Sequence, residues 1–142
     1  MAALCEAVAK YGVKELKLGD NQLGDEGVKA LAPAVAASDS LVELHLCYNQ
    51  LGDEGTKALA TAVAKSSSLV KLHLSYNQIG DEGAKAMAKA SLSCGSLELL
   101  MIHTLGNNVG NDGKYALKVA AADGRRRKGR LEASPRFIND YF

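Results

Sequence analysis

The stretch LHLCYNQLGDEGTKAL, from Leu44 to Leu59, decides how this chain folds. Near copies begin at Leu16 and at Leu72, so the pattern recurs with a 28-residue period. A fourth copy, from Leu100, is degraded and carries two extra residues between its strand and its turn. Self-similarity at a fixed period of this length is typical of a protein built from stacked structural repeats.

Each repeat combines a strand pattern with a helix pattern. Leucines first alternate with polar residues, as at Leu44 and Leu46, which is the spacing of one face of a β-strand. A turn of the form N-x-L-G-D-E-G follows, and then about a dozen residues rich in Ala, Leu and Lys, which favour a helix. Asp25, Asp53 and Asp81 stand at the predicted helix starts, where we expect them to cap the free N–H groups of those helices.

One repeat cannot bury its own apolar face, so the repeats are expected to stack as a solenoid. The sheet would lie on the concave side and the helices on the convex side. Four residues should point inward from successive helices: Leu31, Leu59, Met87 and Leu117. The second glycine of each turn is expected to let helix and sheet approach closely: Gly27, Gly55, Gly83 and Gly113. Pro33, inside the first full helix, should bend or loosen it.

The asparagine that ends each strand is predicted to hydrogen-bond backbone groups of the turns, from one repeat to the next. This asparagine recurs in all four copies, at Asn21, Asn49, Asn77 and Asn107. The role is structural, because the turn needs such a partner in every repeat.

These features resemble the ribonuclease-inhibitor-like subfamily of leucine-rich repeats, whose repeats of about 28 or 29 residues read L-x-x-L-x-L-x-x-N-x-L-G-D-E-G-x-x-x-L. The resemblance covers about residues 13–120. It implies an α/β fold, a right-handed solenoid bent into a short horseshoe arc, with a parallel sheet on the concave face. It also implies the family's general habit of binding proteins on that face, although function does not follow from fold.

The repeats give the domain organisation. Residues 1–123 form the predicted repeat domain, with a half-repeat helix at 1–12 and repeats at about 13–40, 41–68, 69–96 and 97–123. The half-repeat is either a minimal cap or an open end at which a second copy could stack. Self-association through this N-terminal end is therefore one hypothesis.

The predicted second segment, residues 124–142, is basic. It holds six of the 17 basic residues and two of the 16 acidic ones, which leaves 11 and 14 for the rest. It is expected either to cap the last repeat, with Phe137, Ile138 and Tyr141 at helical spacing, or to form a tail. In a tail, the run Arg125–Arg130 would bind an acidic partner or serve in nuclear import.

Composition limits the classes of function. The cysteines Cys5, Cys47 and Cys94 match no metal or disulfide framework, which favours a reducing, cytoplasmic location. No apolar run is long enough to span a membrane, and no basic folded face indicates nucleic-acid binding. Phosphate-binding, dinucleotide-binding and zinc-protease motifs are absent, so we expect neither an enzyme nor a cofactor.

The residues between the strand leucines are expected to point away from the core, on the concave face. These positions vary while the leucines do not, which suits recognition of a protein partner, and tyrosines are good anchors for it. Leu99 and Met101 would add an exposed apolar patch. The candidate protein-binding residues are Lys17, Glu43, His45, Cys47, Tyr48, Lys71, His73, Ser75, Tyr76, Met101 and His103.

The same residues allow other interpretations. His45 and His73 should lie on neighbouring strands near Cys47, so a zinc site is conceivable. No closed ligand set is present, however, and two stacked surface histidines are the plainer interpretation.

The sequence thus predicts a protein-interaction module. The alternatives are a GTPase-activating protein of the Ran-regulator type and a structural or oligomerising piece.

Overall fold

The computed structural model describes residues 1–103, 106–127 and 136–137. Helices and strands alternate along the chain: α1 (Ala2–Lys10), β1 (Glu15–Lys17), α2 (Gly24–Ala37), β2 (Glu43–His45), α3 (Asp53–Lys65), β3 (Lys71–His73), α4 (Asp81–Ser93), β4 (Leu99–Met101), α5 (Asn111–Arg127) and β5 (Arg136–Phe137). Among the described residues, no helix has the length and apolar character needed to cross a lipid bilayer.

The strands form one parallel sheet in the order β1-β2-β3-β4-β5. Equivalent leucines of successive repeats pair with one another, Leu16 with Leu44, Leu44 with Leu72 and Leu72 with Leu100. Each repeat therefore lies directly against the one before it. The predicted fold class, an α/β leucine-rich repeat solenoid, is confirmed.

The core lies between the sheet and the helices. From the sheet, Leu44, Leu72 and Leu100 are fully buried. The four helix positions predicted to point inward are also buried, and they are Leu31, Leu59, Met87 and Leu117. Equivalent positions fill equivalent space in each repeat, because one strand–turn–helix unit buries its apolar face only against its neighbours.

Asparagines join the repeats on the strand side, as predicted. The side-chain oxygen of Asn77 accepts hydrogen bonds from the backbone N–H groups of Asn49 (2.9 Å) and Leu51 (3.1 Å). Its NH₂ group donates to the carbonyl of Leu46 (2.9 Å) and to carbonyls of its own turn. Asn49 makes the equivalent hydrogen bonds to the turn of the first repeat, and Asn107 accepts a hydrogen bond from the turn of the third.

Aspartates join the repeats on the helix side, and here the prediction that each caps its own helix is wrong. Oδ1 of Asp53 accepts hydrogen bonds from the backbone N–H groups of Gly80 (2.9 Å) and Gly83 (2.8 Å), at the start of α4. Asp81 makes the same pair of bonds to the start of α5, and Asp25 bonds to the turn before α3. The aspartates of α3 and α4 are the first residues of their own helices, from which they reach across to the next repeat.

The second glycine of each turn makes room for this contact. A Cβ atom on Gly83 would lie 2.7 Å from Oδ1 of Asp53. On Gly55 and Gly113 it would lie 2.5 Å and 2.7 Å from the aspartate of the preceding repeat, while Gly27 faces a leucine of its own turn. The prediction that these glycines bring helix and sheet together is therefore wrong, since what approaches them is the preceding helix start or their own turn.

The expectation of helical spacing at Phe137 is wrong. Phe137 lies in β5, paired in parallel register with Leu100, and does not continue a helix. Ile138 and Tyr141 lie outside the described residues. Pro33 lies exposed within α2, which runs from Gly24 to Ala37, and the predicted bend at this residue stays a prediction. The helix of the fourth repeat, α5, continues to Arg127, past the boundary predicted at residue 124.

Candidate protein-binding face

The strands separate buried from accessible residues by strict alternation. In β2, Leu44 is buried and its neighbours Glu43 and His45 are partly exposed. The same pattern holds in β3, where Lys71 and His73 flank a buried leucine. The partly exposed side, opposite the helices, is called the concave face below. The candidate residues of the strands therefore share one surface.

Two histidines stack on the concave face. The ring centroids of His45 and His73 are 4.2 Å apart, and the ring planes differ by 12°. Burial lowers the pKa of His73, and the charge that His45 can carry lowers it further. Two positive charges at this separation would repel each other, so the neutral form of His73 is favoured.

An ion-pair network surrounds the histidines. Nζ of Lys17 lies 3.0 Å from Oε1 of Glu15, and the ammonium of Lys71 pairs with Oε1 of Glu43. Nε2 of His45 lies 3.5 Å from a carboxylate oxygen of Glu15 and 3.5 Å from one of Glu43. The hydrogen bond from Lys71 holds the pKa of Glu43 below its usual value, with a smaller contribution from His45.

One group of these residues has metal-binding chemistry. The potential ligand atoms of Glu15, Glu43 and His45 all lie within 4.8 Å of one another. Both carboxylates already bind a lysine ammonium, so a cation would have to compete with those pairs. Within the described part of the chain, the zinc set conceivable from the sequence does not assemble, because His73 and Cys47 belong to no such group.

A second stack stands at the turns that follow the strands. The rings of Tyr48 and Tyr76 lie 4.5 Å apart and differ by only 4° in orientation. The two residues are 54% and 47% exposed, and both have a φ of 56°, in the left-handed region. His103 meets Tyr76 edge-on, with ring centroids 6.0 Å apart. Non-glycine residues rarely adopt this φ, so its recurrence shows that the repeat turn itself imposes it.

The remaining candidates differ in accessibility. Lys17 is exposed, and Cys47 is half-buried, which raises the pKa of its thiol. Ser75 is only 4% exposed and offers a partner little surface. Leu99 and Met101 are only partly exposed, so the predicted apolar patch is smaller than expected.

Two residues outside the candidate binding set also lie on this surface. Glu15 joins the ion-pair network, and Asp20 lies exposed beside Tyr48, at the equivalent turn position of the first repeat. The 28-residue spacing already places both on this face, since it aligns Glu15 with Glu43 and Asp20 with Tyr48. The equivalent turn positions Asp20, Tyr48, Tyr76 and Thr104 are called the tyrosine column below, and Thr104 lies outside the described residues.

Comparison with known proteins agrees with this geometry. A family model described as "Leucine Rich repeat" matches residues 13–32, 37–60 and 65–88. These three matches coincide with the three regular repeats of the sequence. The search of curated proteins found no match.

Solved structures match over most of the chain. The structure of the leiomodin-1 actin-binding site 2 is 14% identical, with a TM-score of 0.68, and the match covers 89% of this chain and 91% of that one. The tropomodulin C-terminal domain of Caenorhabditis elegans is also 14% identical, with a TM-score of 0.67 and coverages of 92% and 97%. At this identity the likeness shows a shared fold.

Proposed function

We propose that this chain, a leucine-rich repeat protein by its fold and its repeats, binds a protein partner through its concave face and the adjoining turns. The observation that carries the proposal is the stacked, exposed pair Tyr48 and Tyr76. Large aromatic residues are the usual anchors of protein interfaces. Their stacking fixes both rings before binding, so that little side-chain entropy is lost on contact.

The charged residues of the strands supply specificity. The network of Glu15, Lys17, Glu43 and Lys71 places both signs of charge beside the histidine stack. A partner has to match this pattern of charges, because like charges brought together at an interface cost free energy. The tyrosine pair thus supplies contact area, and the network selects the partner and its orientation.

The structural neighbours suggest one specific partner to test. The leiomodin-1 structure is that of an actin-binding site. Because that protein shares the fold of this chain at 14% identity, an actin-related partner is a hypothesis for this chain. The alternative of a Ran-regulator-type GTPase-activating protein gains no support from these matches. The finer assignment to the ribonuclease-inhibitor-like subfamily stays a prediction from the repeat pattern.

The experiment compares concave and convex variants. The double variant Tyr48→Ala/Tyr76→Ala removes the anchor, and Tyr115→Ala removes a still more exposed tyrosine from α5 on the helix side. Purified actin is tested first by cosedimentation, and proteins captured from cell extract are then identified by mass spectrometry. Circular dichroism confirms that each variant is folded.

We expect specific capture to be lost in the double variant and retained in Tyr115→Ala. The opposite result, capture that survives loss of both tyrosines, would overturn the concave-face proposal. Stimulated GTP hydrolysis across a small-GTPase panel would favour the regulator alternative. Concentration-dependent light scattering without any captured protein would favour the oligomerising one.

A further inference from the structure

The tyrosine column continues into the first repeat with a different residue. Asp20, Tyr48 and Tyr76 occupy equivalent turn positions of successive repeats, with φ angles of 59°, 56° and 56°. The backbone N–H of Asp20 donates to the carbonyl of Cys47 at 3.0 Å, which holds the two turns side by side. Neighbouring strands lie about 4.8 Å apart, so the Asp20 side chain starts one such step from that of Tyr48.

The stack is closed at one end and open at the other. On the fourth-repeat side, a Cβ atom on Gly106 would lie 2.6 Å from Cδ1 of Tyr76, and His103 meets the same ring edge-on. On the first-repeat side, no ring follows Tyr48, because its neighbour is the short side chain of Asp20. The face of Tyr48 that points away from Tyr76 is therefore turned toward the turn of Asp20, whose charge acts on the Tyr48 hydroxyl.

The charge of Asp20 is available to a partner. Within the part of the chain that the structure describes, no lysine, arginine or histidine forms an ion pair with Asp20. Lys17, on the preceding strand, pairs with Glu15 at 3.0 Å, so its charge is balanced there. The pKa of the Tyr48 hydroxyl is raised, and partial loss of water is the largest cause. The neighbouring Tyr76 raises it further, and the charge of Asp20 adds to the same shift.

An aromatic face beside a carboxylate suits one side chain in particular. A guanidinium group is planar, stacks on aromatic rings and forms bidentate hydrogen bonds with a carboxylate. Cations placed over a tyrosine within about 6 Å of its centroid gain about 0.5–1 kcal/mol at exposed sites. A lysine ammonium can pair with Asp20 but has no flat face to extend the stack.

We propose that Tyr48 and Asp20 together form a site for an arginine side chain of the protein partner, with the guanidinium stacked on Tyr48 and hydrogen-bonded to Asp20. The guanidinium would fill the place that a third tyrosine would take in the first repeat. This inference rests on the proposed concave-face function and deepens it, since it names the residue type that the partner must present.

The test uses short blocked peptides as probes. Three peptides differ at one central residue, which is arginine, lysine or citrulline, the neutral isostere of arginine. Each is titrated into the ¹⁵N-labelled chain, and the amide signals of Asp20 and Tyr48 are followed by NMR. We expect saturable shifts with the arginine peptide, weaker ones with lysine and none with citrulline. Equal responses to arginine and citrulline would overturn the site.

Variants then test each half of the site. Asp20→Asn removes the charge and keeps a residue that tolerates a positive φ, and Tyr48→Leu removes the aromatic face and keeps an apolar side chain. Each variant should bind the arginine peptide with an affinity about two- to fivefold lower. Asp39→Asn, an exposed acid after α2, is the control and should change nothing. Unchanged affinity in Asp20→Asn would contradict the proposal.

The two proposals fail in different ways. If no arginine peptide binds, yet the Tyr48→Ala/Tyr76→Ala variant still loses its captured partner, the arginine site is wrong and the concave-face function stands. If capture survives in that variant, the concave-face function itself is wrong, whatever the peptides show.

Discussion

Oδ1 of Asp53 lies 2.8 Å from the backbone nitrogen of Gly83, in the next repeat along the solenoid. The same oxygen accepts the N–H of Gly80 at 2.9 Å, so one carboxylate satisfies two free donors at the start of α4. The positive end of the α4 dipole adds to this attraction. On the other side of the repeat, Asn77 joins the strand ends in a comparable way. The solenoid is thus bonded together along two rows as well as by its core.

Replacement of Asp53 by alanine should weaken the contact between the second and third repeats. Loss of a helix cap typically lowers the free energy of unfolding by about 0.5–2 kcal/mol, and we expect the upper half of that range because two N–H groups lose their acceptor. Urea denaturation followed by circular dichroism measures the change. Asp39→Ala, at an exposed turn position, is the matched control. Equal stability of the two variants would show that the cross-repeat bonds contribute little.

Gly83→Ala tests the space that this contact needs. The added Cβ would meet Oδ1 of Asp53 at 2.7 Å and Cγ2 of Ile79 at 3.0 Å. The clash should outweigh the helix propensity of alanine, for a net loss of about 1–2 kcal/mol of stability. At Gly95 a new Cβ would meet nothing within 4 Å beyond its chain neighbours, so Gly95→Ala should leave the melting temperature almost unchanged. A stabilised Gly83→Ala variant would be incompatible with this packing.

Asn77→Ala should destabilise the chain more than the same change at Asn21. Removal of the Asn77 side chain leaves the N–H groups of Asn49 and Leu51 without acceptors in a buried turn. We expect the free energy of unfolding to fall by about 2–4 kcal/mol. Each unsatisfied buried group costs about 1–3 kcal/mol, and partial relaxation of the turn reduces the sum. Asn21 is exposed and its side chain donates to Gly19 in its own turn, so Asn21→Ala should cost less than about 0.5 kcal/mol. If thermal unfolding shows similar losses of stability for the two variants, the asparagine hydrogen bonds between repeats are not a major source of stability.

The pKa of His73 should lie below its ordinary value of 6.5, because burial and the neighbouring His45 both disfavour the charged ring. The unfolded chain then binds the proton more tightly, so the stability that depends on His73 decreases as the pH falls from about 6.5 through the folded-state pKa. NMR titration of the imidazole signals measures this pKa directly. His45→Gln should raise it only partly, since burial is the larger cause. A pKa at or above 6.5 in the native chain would contradict the burial of His73 beside His45.

Repetition explains why so much of the fold could be predicted. Equivalent leucines of successive repeats have to bury against one another, so the register of Leu16, Leu44 and Leu72 follows from the period alone. The residues of the concave face followed from the same period, through the alternation of a strand. The burial of Ser75 could not be predicted in this way, because coverage depends on the side chains of both neighbouring repeats.

The sequence by itself determined the repeat, the strand–helix order, the core positions and the asparagine hydrogen bonds between turns, since each recurs at the 28-residue period. Tertiary structure decided the other contacts between units. It gave Asp53 the helix of the next repeat as its partner, placed Phe137 in a fifth strand, and left Tyr48 at the end of a stack beside Asp20. The physical reason is that these contacts depend on the direction in which each side chain reaches across about 5 Å to the next repeat, which the sequence pattern does not contain.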